Sequence, residues 1–191
     1  MLNLNKAKVL LAIPRKKDNA NVTCEQMQHR KVFKKVWSEP DERDKRLNEL
    51  RAIAIVYPEY KWRIYETINW RDLRKTWYEY QKSILDWQRT DKKGTMDWLD
   101  RVHSEWVSAM MRPESCLSEG KLFMIDKDDK DNLVDFVNYV CNEVGAEQID
   151  AYETPNGRHM LVKPFDVRKF DGKKWNAELH KDGLRLVEVI G

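Results

Sequence analysis

Apolar residues recur with helical spacing through most of the first 115 residues. The clearest stripe lies over 71–89, and its members step by four, three, four and three: Leu73, Trp77, Tyr80, Ile84 and Trp87. This spacing is typical of a helix that faces a core. Weaker stripes predict further helices over 25–37, 41–54 and 96–111. Strand-like patterns near 8–14 and 61–69 interrupt them, so residues 1–115 are predicted to be mostly helical with two strands.

The pattern changes after about residue 120. The run KLFMID (121–126) is continuous and apolar, as in a buried central strand, and an amphipathic helix over 131–145 follows it. Four strand-like segments come next, separated by the turn sequences PNG, FDGK and KDG: 149–154, 158–164, 174–180 and 184–190. The order β-α-β-β-β-β over 121–191 predicts the α+β class. We expect one domain over 1–191, with a mixed, largely antiparallel sheet covered by helices.

Composition and charge narrow the class of protein. The 191 residues include 8 Trp, 7 Tyr and 5 Phe, which supply the burial that disordered chains lack. The chain has 35 basic and 32 acidic residues, which gives a net charge of only +3. A nucleic-acid partner therefore has to be argued from local clusters of basic residues. The longest apolar run, 9–13, is too short to span a membrane, and no secretory signal is visible. The three cysteines form no CxxC pair, so we expect a cytoplasmic protein without a zinc site.

Two aspartates close the predicted central strand. Asp126 and Asp128 are two positions apart, and residues i and i+2 of an extended chain project from the same face. Carboxylates so placed can chelate Mg²⁺ or Mn²⁺, which hold phosphate oxygens and orient a nucleophile. The alternative is that the sequence KDDKD is a solvated loop before the next helix.

The PNG turn predicts a hairpin whose second strand starts with charged residues. His159 and Lys163 share one face of that strand, and Arg158 precedes the histidine. Such groups near an aspartate pair suit the triphosphate of a nucleotide or a nucleic-acid phosphate. The alternative is that His159 is an ordinary surface or hydrogen-bonded histidine.

A third acid is needed to complete a three-carboxylate metal site, and two residues compete for that role. Glu178 lies on the polar face of the strand over 174–180, whereas Glu188 shares a strand face with Leu186 and Ile190. We prefer Glu178, and the sequence leaves the choice open.

Basic residues in the N-terminal part are further candidates for phosphate binding. Arg15 and Lys17 follow the first predicted strand, and Arg63 lies on the polar face of 61–69. Arg63 is the strongest of these candidates, because a charge within a strand of Trp and Ile needs an anionic partner. The alternative for such groups is a solvated face.

Together these motifs resemble the core of the archaeo-eukaryotic primase (primase-polymerase) superfamily. The apolar strand ending in Asp-x-Asp is FMIDKD at 123–128, and the small residue-x-His motif is GRH at 157–159. The third motif, an acid after a hydrophobic residue, matches either AEL around Glu178 or VEV around Glu188. Lys127 stands between the aspartates, where that superfamily usually has an apolar residue.

The resemblance implies a reduced, RRM-like core with a catalytic role. By it, Asp126 and Asp128 would bind the divalent metals, His159 would contact the phosphates of the incoming nucleotide, and the third motif would add an acid. The expected function is metal-dependent nucleotidyl or phosphoryl transfer on nucleic acid or nucleotides. The alternative is a non-catalytic nucleic-acid- or protein-binding accessory module of a phage or mobile element, since WRIYETINWRD at 62–72 is similar to small viral proteins.

Overall fold

The computed structural model describes residues 5–20, 32–91, 99–155 and 157–191. They form two antiparallel sheets with helices, so the predicted α+β class is confirmed. Where the sequence suggested one domain, the chain divides into two compact units. The first unit comprises residues 1–117 and 186–191, and the second comprises residues 118–185. Among the described helices, none has the length and apolar character that crossing a membrane would require.

The first unit is built on a sheet with the strand order β2-β1-β3-β9, in which a short β4 also pairs with β1. β1 pairs antiparallel with β2, β3 and β4. The strands are β1 (Lys6–Ile13), β2 (Phe33–Trp37), β3 (Trp62–Thr67), β4 (Arg71–Asp72) and β9 (Leu184–Ile190).

Three longer helices accompany this sheet: α1 (Pro40–Val56), α2 (Leu73–Thr90) and α3 (Leu99–Met110). α1 begins at a capping box between Glu39 and Glu42 and packs Leu50 into the core of this unit. α2 begins where the Asp72 carboxylate accepts hydrogen bonds from two backbone N–H groups. All three lie within a few residues of the ranges predicted from the apolar stripes.

Two predicted elements need correction. The helix expected over 25–37 is wrong at its end, because Phe33–Trp37 is strand β2 and pairs along its whole length with β1; residues 25–31 of that prediction lie outside the described residues. The strand over 184–190 was expected in the C-terminal core. It is β9, and it joins the sheet of the first unit instead.

The second unit has the element order β-α-β-β-α-β, and its four strands lie in the order β6-β7-β5-β8. Every pairing is antiparallel. This element order with this strand order is the split βαβ arrangement. Its elements are β5 (Phe123–Lys127), α4 (Leu133–Asn138) with a π-helical turn (Tyr139–Glu143), β6 (Gln148–Glu153), β7 (Arg158–Val162), α5 (Gly172–Trp175) and β8 (Ala177–His180). The strand predicted from residue 174 starts only at Ala177, because α5 occupies the preceding residues and ends at Asn176 in the left-handed conformation.

One face of this sheet carries the core of the second unit. Ile125 of β5 and Met160 of β7 pack with Phe136 and Val140, and all four side chains are fully buried. Because side chains alternate along a strand, the neighbours Asp126 and His159 project from the opposite face. The fold thus places the predicted acidic and imidazole groups on the face that lies away from α4.

Candidate functional site

Four polar side chains form a row across the second sheet. Asp126 on the central strand β5 is paired in register with His159 on β7 and with Glu178 on β8, and His159 is paired with Tyr152 on β6. Directly opposed residues of antiparallel strands share a face, with Cβ atoms about 4.5–5.5 Å apart. We call Tyr152, His159, Asp126 and Glu178 the cross-strand row.

The imidazole of His159 is held at both of its nitrogens. Its Nε2 lies 3.0 Å from Oδ1 of Asp126, and its Nδ1 lies 3.0 Å from the Tyr152 hydroxyl. The Tyr152 and His159 rings meet edge to face, with centroids 5.1 Å apart. Only 8% of His159 is exposed, whereas Asp126 is half-buried. The structure therefore brings together the two groups that the sequence placed on separate motifs.

Tyr152 remains a neutral phenol in this environment. Burial raises its pKa above the ordinary value of 10.0; Arg185 acts in the opposite direction, and the negative charges of Asp126 and Asp150 add to the increase. A phenol that keeps its proton is a hydrogen-bond donor and a poor nucleophile at neutral pH. Its contact with His159 is therefore one of hydrogen bonding.

Two acids line an open depression at the β8 edge. Asp128 and Glu178 both contribute to this depression of about 490 Å³, together with Lys173 and Phe170. The backbone N–H of Asp128 donates to the carbonyl of Asn176 at 3.2 Å. This bond extends the β5–β8 pairing by one residue and keeps Asp128 on the Asp126 side of the chain. Both acids are exposed, and the Glu178 carboxylate lies 3.6 Å from Nε2 of His180.

The Lys127–Asp129 pair lies behind the site and has a structural role. Lys127 is 3% exposed, and its ammonium contacts the Asp129 carboxylate, the Trp175 carbonyl at 3.0 Å and the face of the Phe136 ring. Hydrogen bonds from Lys127 and from the Asn176 amide lower the pKa of Asp129 from 3.8 to about 2. Lys127 thus points to the core side of the sheet, and the two aspartates beside it in sequence point away.

Gly157 brings β7 close to β5 at the end of the row. A Cβ atom at this position would lie 1.8 Å from the carbonyl oxygen of Lys127, a distance that no side chain can occupy. The small residue two positions before His159 is therefore required by the close approach of two backbones.

The structure distributes the other predicted phosphate-binding residues over several places. Arg158 lies opposite Lys127 and Glu153 in register, on the face of the sheet away from His159. Lys163 is exposed and forms an ion pair with Glu147 at 2.8 Å. Arg15 and Lys17 belong to the first unit, where Arg15 donates to the Tyr65 hydroxyl at 3.2 Å.

The anionic partner of Arg63 is a residue of this chain. The buried Arg63 guanidinium donates two hydrogen bonds of 2.6 Å to the Asp18 carboxylate, and this contact lowers the pKa of Asp18. The charge that we assigned to a phosphate is therefore already compensated in the first unit.

The two candidates for the third acid differ in their surroundings. Glu178 lies beside Asp126 in the cross-strand row, whereas Glu188 belongs to the first unit and accepts a 2.9 Å hydrogen bond from Arg51.

The acids of the site do not form a complete set of metal ligands by themselves. Among the described residues, no three His, Cys, Asp or Glu side chains are grouped so that they could hold a metal ion by themselves. Mg²⁺ at nucleotide sites is commonly held by one or two carboxylates and completes its octahedral shell with water and phosphate oxygens. Asp128 and Glu178 line one depression, and Asp126 is paired in register with Glu178.

Comparisons with models of known protein families, with curated proteins and with solved structures find no match to this chain. The resemblance to the primase-polymerase superfamily therefore stays a prediction drawn from its motifs.

Sequence reasoning missed two residues of the site, Tyr152 and Lys173. A signal for Tyr152 was present, because residues equally distant from a hairpin turn face each other. Thr154 and Gly157 close the turn with a backbone hydrogen bond of 2.9 Å, and two steps outward from them lie Tyr152 and His159. For Lys173 the sequence gives no signal, because it lies in the predicted turn FDGK, and helix α5 (Gly172–Trp175) is not predicted there.

Proposed function

We propose that the second unit carries out metal-dependent nucleotidyl or phosphoryl transfer on a nucleotide or nucleic acid. One observation carries the proposal: Asp126 has a carboxylate, Glu178, on one side and an imidazole, His159, on the other, all on one face of the sheet. Phosphoryl transfer depends mainly on positioning and on electrostatic stabilisation of phosphate oxygens, which acids with a metal and nearby cationic or N–H donors supply.

Each residue has a distinct role in this proposal. Asp128 and Glu178, with Asp126, would hold Mg²⁺ or Mn²⁺, which when bound neutralises charge that develops on the phosphate oxygens. Lys173 lines the same depression, where its ammonium would contact a phosphate. His159 presents an imidazole from the neighbouring strand.

A thermal-shift experiment with four conditions tests the proposal: the protein alone, with Mn²⁺, with a nucleoside triphosphate, and with both. Because the protein carboxylates alone form no complete metal shell, we expect a large stabilisation only when metal and triphosphate are both present. Ligand at a hundred times its Kd stabilises by about 2.7 kcal/mol, which corresponds to roughly 5–10 °C in Tm for a chain of this size.

Two variants show whether the shift arises at this site. Glu178→Gln should abolish most of the shift with metal and triphosphate. Glu143→Gln removes the same charge from an exposed position on the helical side of the same unit and should leave the shift intact. If the wild-type protein shows no shift with both ligands, or if Glu178→Gln keeps it, the proposed function is wrong.

The second candidate function is a non-catalytic module that binds nucleic acid or a protein. The engagement of both imidazole nitrogens within the chain favours it, because a histidine held in this way can serve the fold alone. This candidate predicts that an oligonucleotide stabilises the protein without any metal and that Glu178→Gln does not weaken the effect.

A further inference from the structure

We propose that Tyr152 is a positioning residue of the site. Its phenol donates a hydrogen bond to Nδ1 of His159, and the Nε2–H of the ring is thereby directed towards Asp126 and Glu178. Neither the motifs of the sequence nor the resemblance assigns a role to this tyrosine. The inference rests on the proposed function only for its effect on phosphate binding, and the state of the imidazole can be tested independently.

The first step is to locate the phenol hydrogen. Two acceptors are within reach of the Tyr152 hydroxyl: Nδ1 of His159 at 3.0 Å and the thioether sulfur of Met124 at 3.8 Å. A thioether is a weak acceptor, whereas an imidazole nitrogen with a lone pair is a good one. The hydroxyl therefore donates to Nδ1, which is consistent with the raised pKa of Tyr152.

The second contact of the ring agrees with this assignment. When Nδ1 accepts a hydrogen bond, a neutral imidazole carries its proton on Nε2. Nε2 lies 3.0 Å from Oδ1 of Asp126. Because an ionised carboxylate oxygen can only accept a hydrogen bond, Nε2 must be the donor in this contact. The opposite tautomer would place the Nε2 lone pair against a carboxylate oxygen. Of the two neutral tautomers, both contacts thus select the Nε2–H form.

The arrangement determines what His159 can offer to a substrate. With Nδ1 occupied by Tyr152, the remaining polar group is the Nε2–H, and it now bonds to Asp126. A phosphate that contacts His159 must therefore share or replace that bond. Without the Tyr152 hydroxyl the ring loses its Nδ1 partner and keeps only the Asp126 contact at Nε2 and the edge-to-face ring packing, so its orientation is less restricted.

Nitrogen NMR of histidine-labelled protein at about pH 8 tests this inference. In the wild type we expect His159 as a single neutral Nε2–H form with a hydrogen-bonded Nδ1. In Tyr152→Phe the Nδ1 resonance should move towards that of a non-bonded nitrogen. Exchange of the Nε2 proton with water should be about tenfold faster, as expected for the loss of one hydrogen bond.

Tyr139→Phe is the matched control. The Tyr139 hydroxyl is also bonded inside the second unit, to the Lys169 carbonyl at 2.9 Å and to the Asp171 backbone N–H at 2.6 Å, but it does not contact His159. This variant should leave the His159 signals unchanged. The inference is overturned if wild-type His159 carries its proton on Nδ1 or is an imidazolium at about pH 8, a result that needs no variant to fold. It is equally overturned if Tyr152→Phe leaves both His159 signals unchanged.

Triphosphate titrations of the same proteins separate this inference from the proposed function. With metal present, Tyr152→Phe should bind the triphosphate about tenfold more weakly, whereas Tyr139→Phe should bind it like the wild type. If the wild type binds no triphosphate, the proposed function fails and the NMR result stands by itself. If the triphosphate binds but His159 shows the wrong tautomer, the inference about Tyr152 fails and the proposed function stands.

Discussion

At the scale of single residues, the three acids at the end of the central strand differ in role because of the direction in which each points. Asp126 projects from the face that carries His159, and Asp128 lines the depression beside Glu178. Asp129 turns back to the ammonium of Lys127 on the core side. Lys127, which departs from the motif of the family that the sequence resembles, is therefore accommodated by a partner two residues away. The KDDKD sequence at 127–131, which looks uniformly solvated, contains one structural acid, Asp129, and one candidate for chemistry, Asp128.

The lowered pKa of Asp129 predicts a specific acid sensitivity. Its pKa in the folded state is about 2, compared with the ordinary 3.8, so its ionised form stabilises the fold above about pH 4. That contribution is lost as the pH falls through about 2. We expect Asp129→Asn to lower Tm by several degrees near pH 6 and to show a smaller further loss of Tm between about pH 4 and pH 2 than the wild type does.

The measurement is a set of thermal melts across that pH range for the wild type and two variants. Asp131→Asn, at an exposed acid two residues away, is the control and should follow the wild-type curve. Asp18 also has a lowered pKa, so the difference between each variant and the wild type is the quantity to compare. Identical curves for Asp129→Asn and the wild type would show that the Lys127 contact does not stabilise the fold.

Sequence reasoning at this scale succeeded where the chemistry is local and failed where a partner comes from far along the chain. Spacing alone predicts that Asp126 and Asp128 share a face, and Asp128 lines the depression that is also lined by Glu178, the residue paired in register with Asp126. The need of Arg63 for an anion was also read correctly, but the partner, Asp18, is 45 residues away and no pattern names it. Whether His159, Glu178 and the metal act as expected stays a prediction.

At the scale of elements, the apolar stripe of α2 predicted the helix better than it predicted the buried face. Trp77 of that stripe is 51% exposed, and the positions that are buried are polar: Thr76, Glu79 and Ser83. The Arg112 guanidinium explains the difference, because it bonds to Glu79, to Ser83 at 2.6 Å and to Glu105 of α3. Such a paired network can occupy the interior, and its partners cannot be read from periodicity.

Strand β2 shows a second limit of predicting secondary structure from hydrophobic patterns. Short apolar runs fit a helical and an extended period equally well, and the outcome depends on whether a partner strand is available. Here β1 supplies a full ladder, from Lys8 opposite Trp37 to Ala12 opposite Phe33. The hairpin of β6 and β7 was predictable because its turn chemistry is local.

The hairpin also supplies an element-scale prediction at Gly157. In Gly157→Ala the new Cβ would meet the Lys127 carbonyl oxygen, a backbone atom that cannot move without displacing β5. We expect a loss of unfolding free energy of about 2–3 kcal/mol, measured by urea denaturation. Because the displaced strand carries Asp126, the NMR signals of His159 should shift as well.

Gly145→Ala is the control for this prediction. Gly145 has a φ of 75° and nothing within 4 Å of an added Cβ, so the cost there is only the left-handed conformation, about 1 kcal/mol. His159 should be unaffected in that variant. If Gly157→Ala costs no more than Gly145→Ala, the close approach of β7 to β5 does not constrain this position.

At the scale of the whole molecule, the division into two units is the feature that the sequence predicted least. The sequence shows a change of pattern near residue 120, and the first segment of the first unit ends at residue 117. However, the last strand returns to the sheet of the first unit, so that unit is discontinuous in sequence. Long-range strand pairing of this kind depends on which edge is available in the folded sheet, and no local pattern encodes it.

The charge of the whole molecule separates the two candidate functions. With 35 basic and 32 acidic residues, the chain lacks the strong positive field that attracts long polyanions. In addition, Arg63 and Lys163 already have acidic partners within the chain. A site for one triphosphate needs only a few short-range contacts, whereas a nucleic-acid module that works through a basic surface needs many phosphate contacts.

We therefore expect a shallow salt dependence of binding. Between about 50 and about 200 mM salt, the affinity for a nucleoside triphosphate with Mn²⁺, or for a short oligonucleotide, should fall by no more than about tenfold, as for roughly two phosphate contacts. Fluorescence anisotropy at several salt concentrations measures the slope of log affinity against log salt concentration.

Lys173→Gln should lower this slope by the equivalent of about one phosphate contact, whereas Lys174→Gln should leave it unchanged. Lys174 is the control because its ammonium lies over the Tyr139 and Trp175 rings. A loss of about a thousandfold, typical of six or more phosphate contacts, would contradict this expectation and would favour the nucleic-acid-binding module.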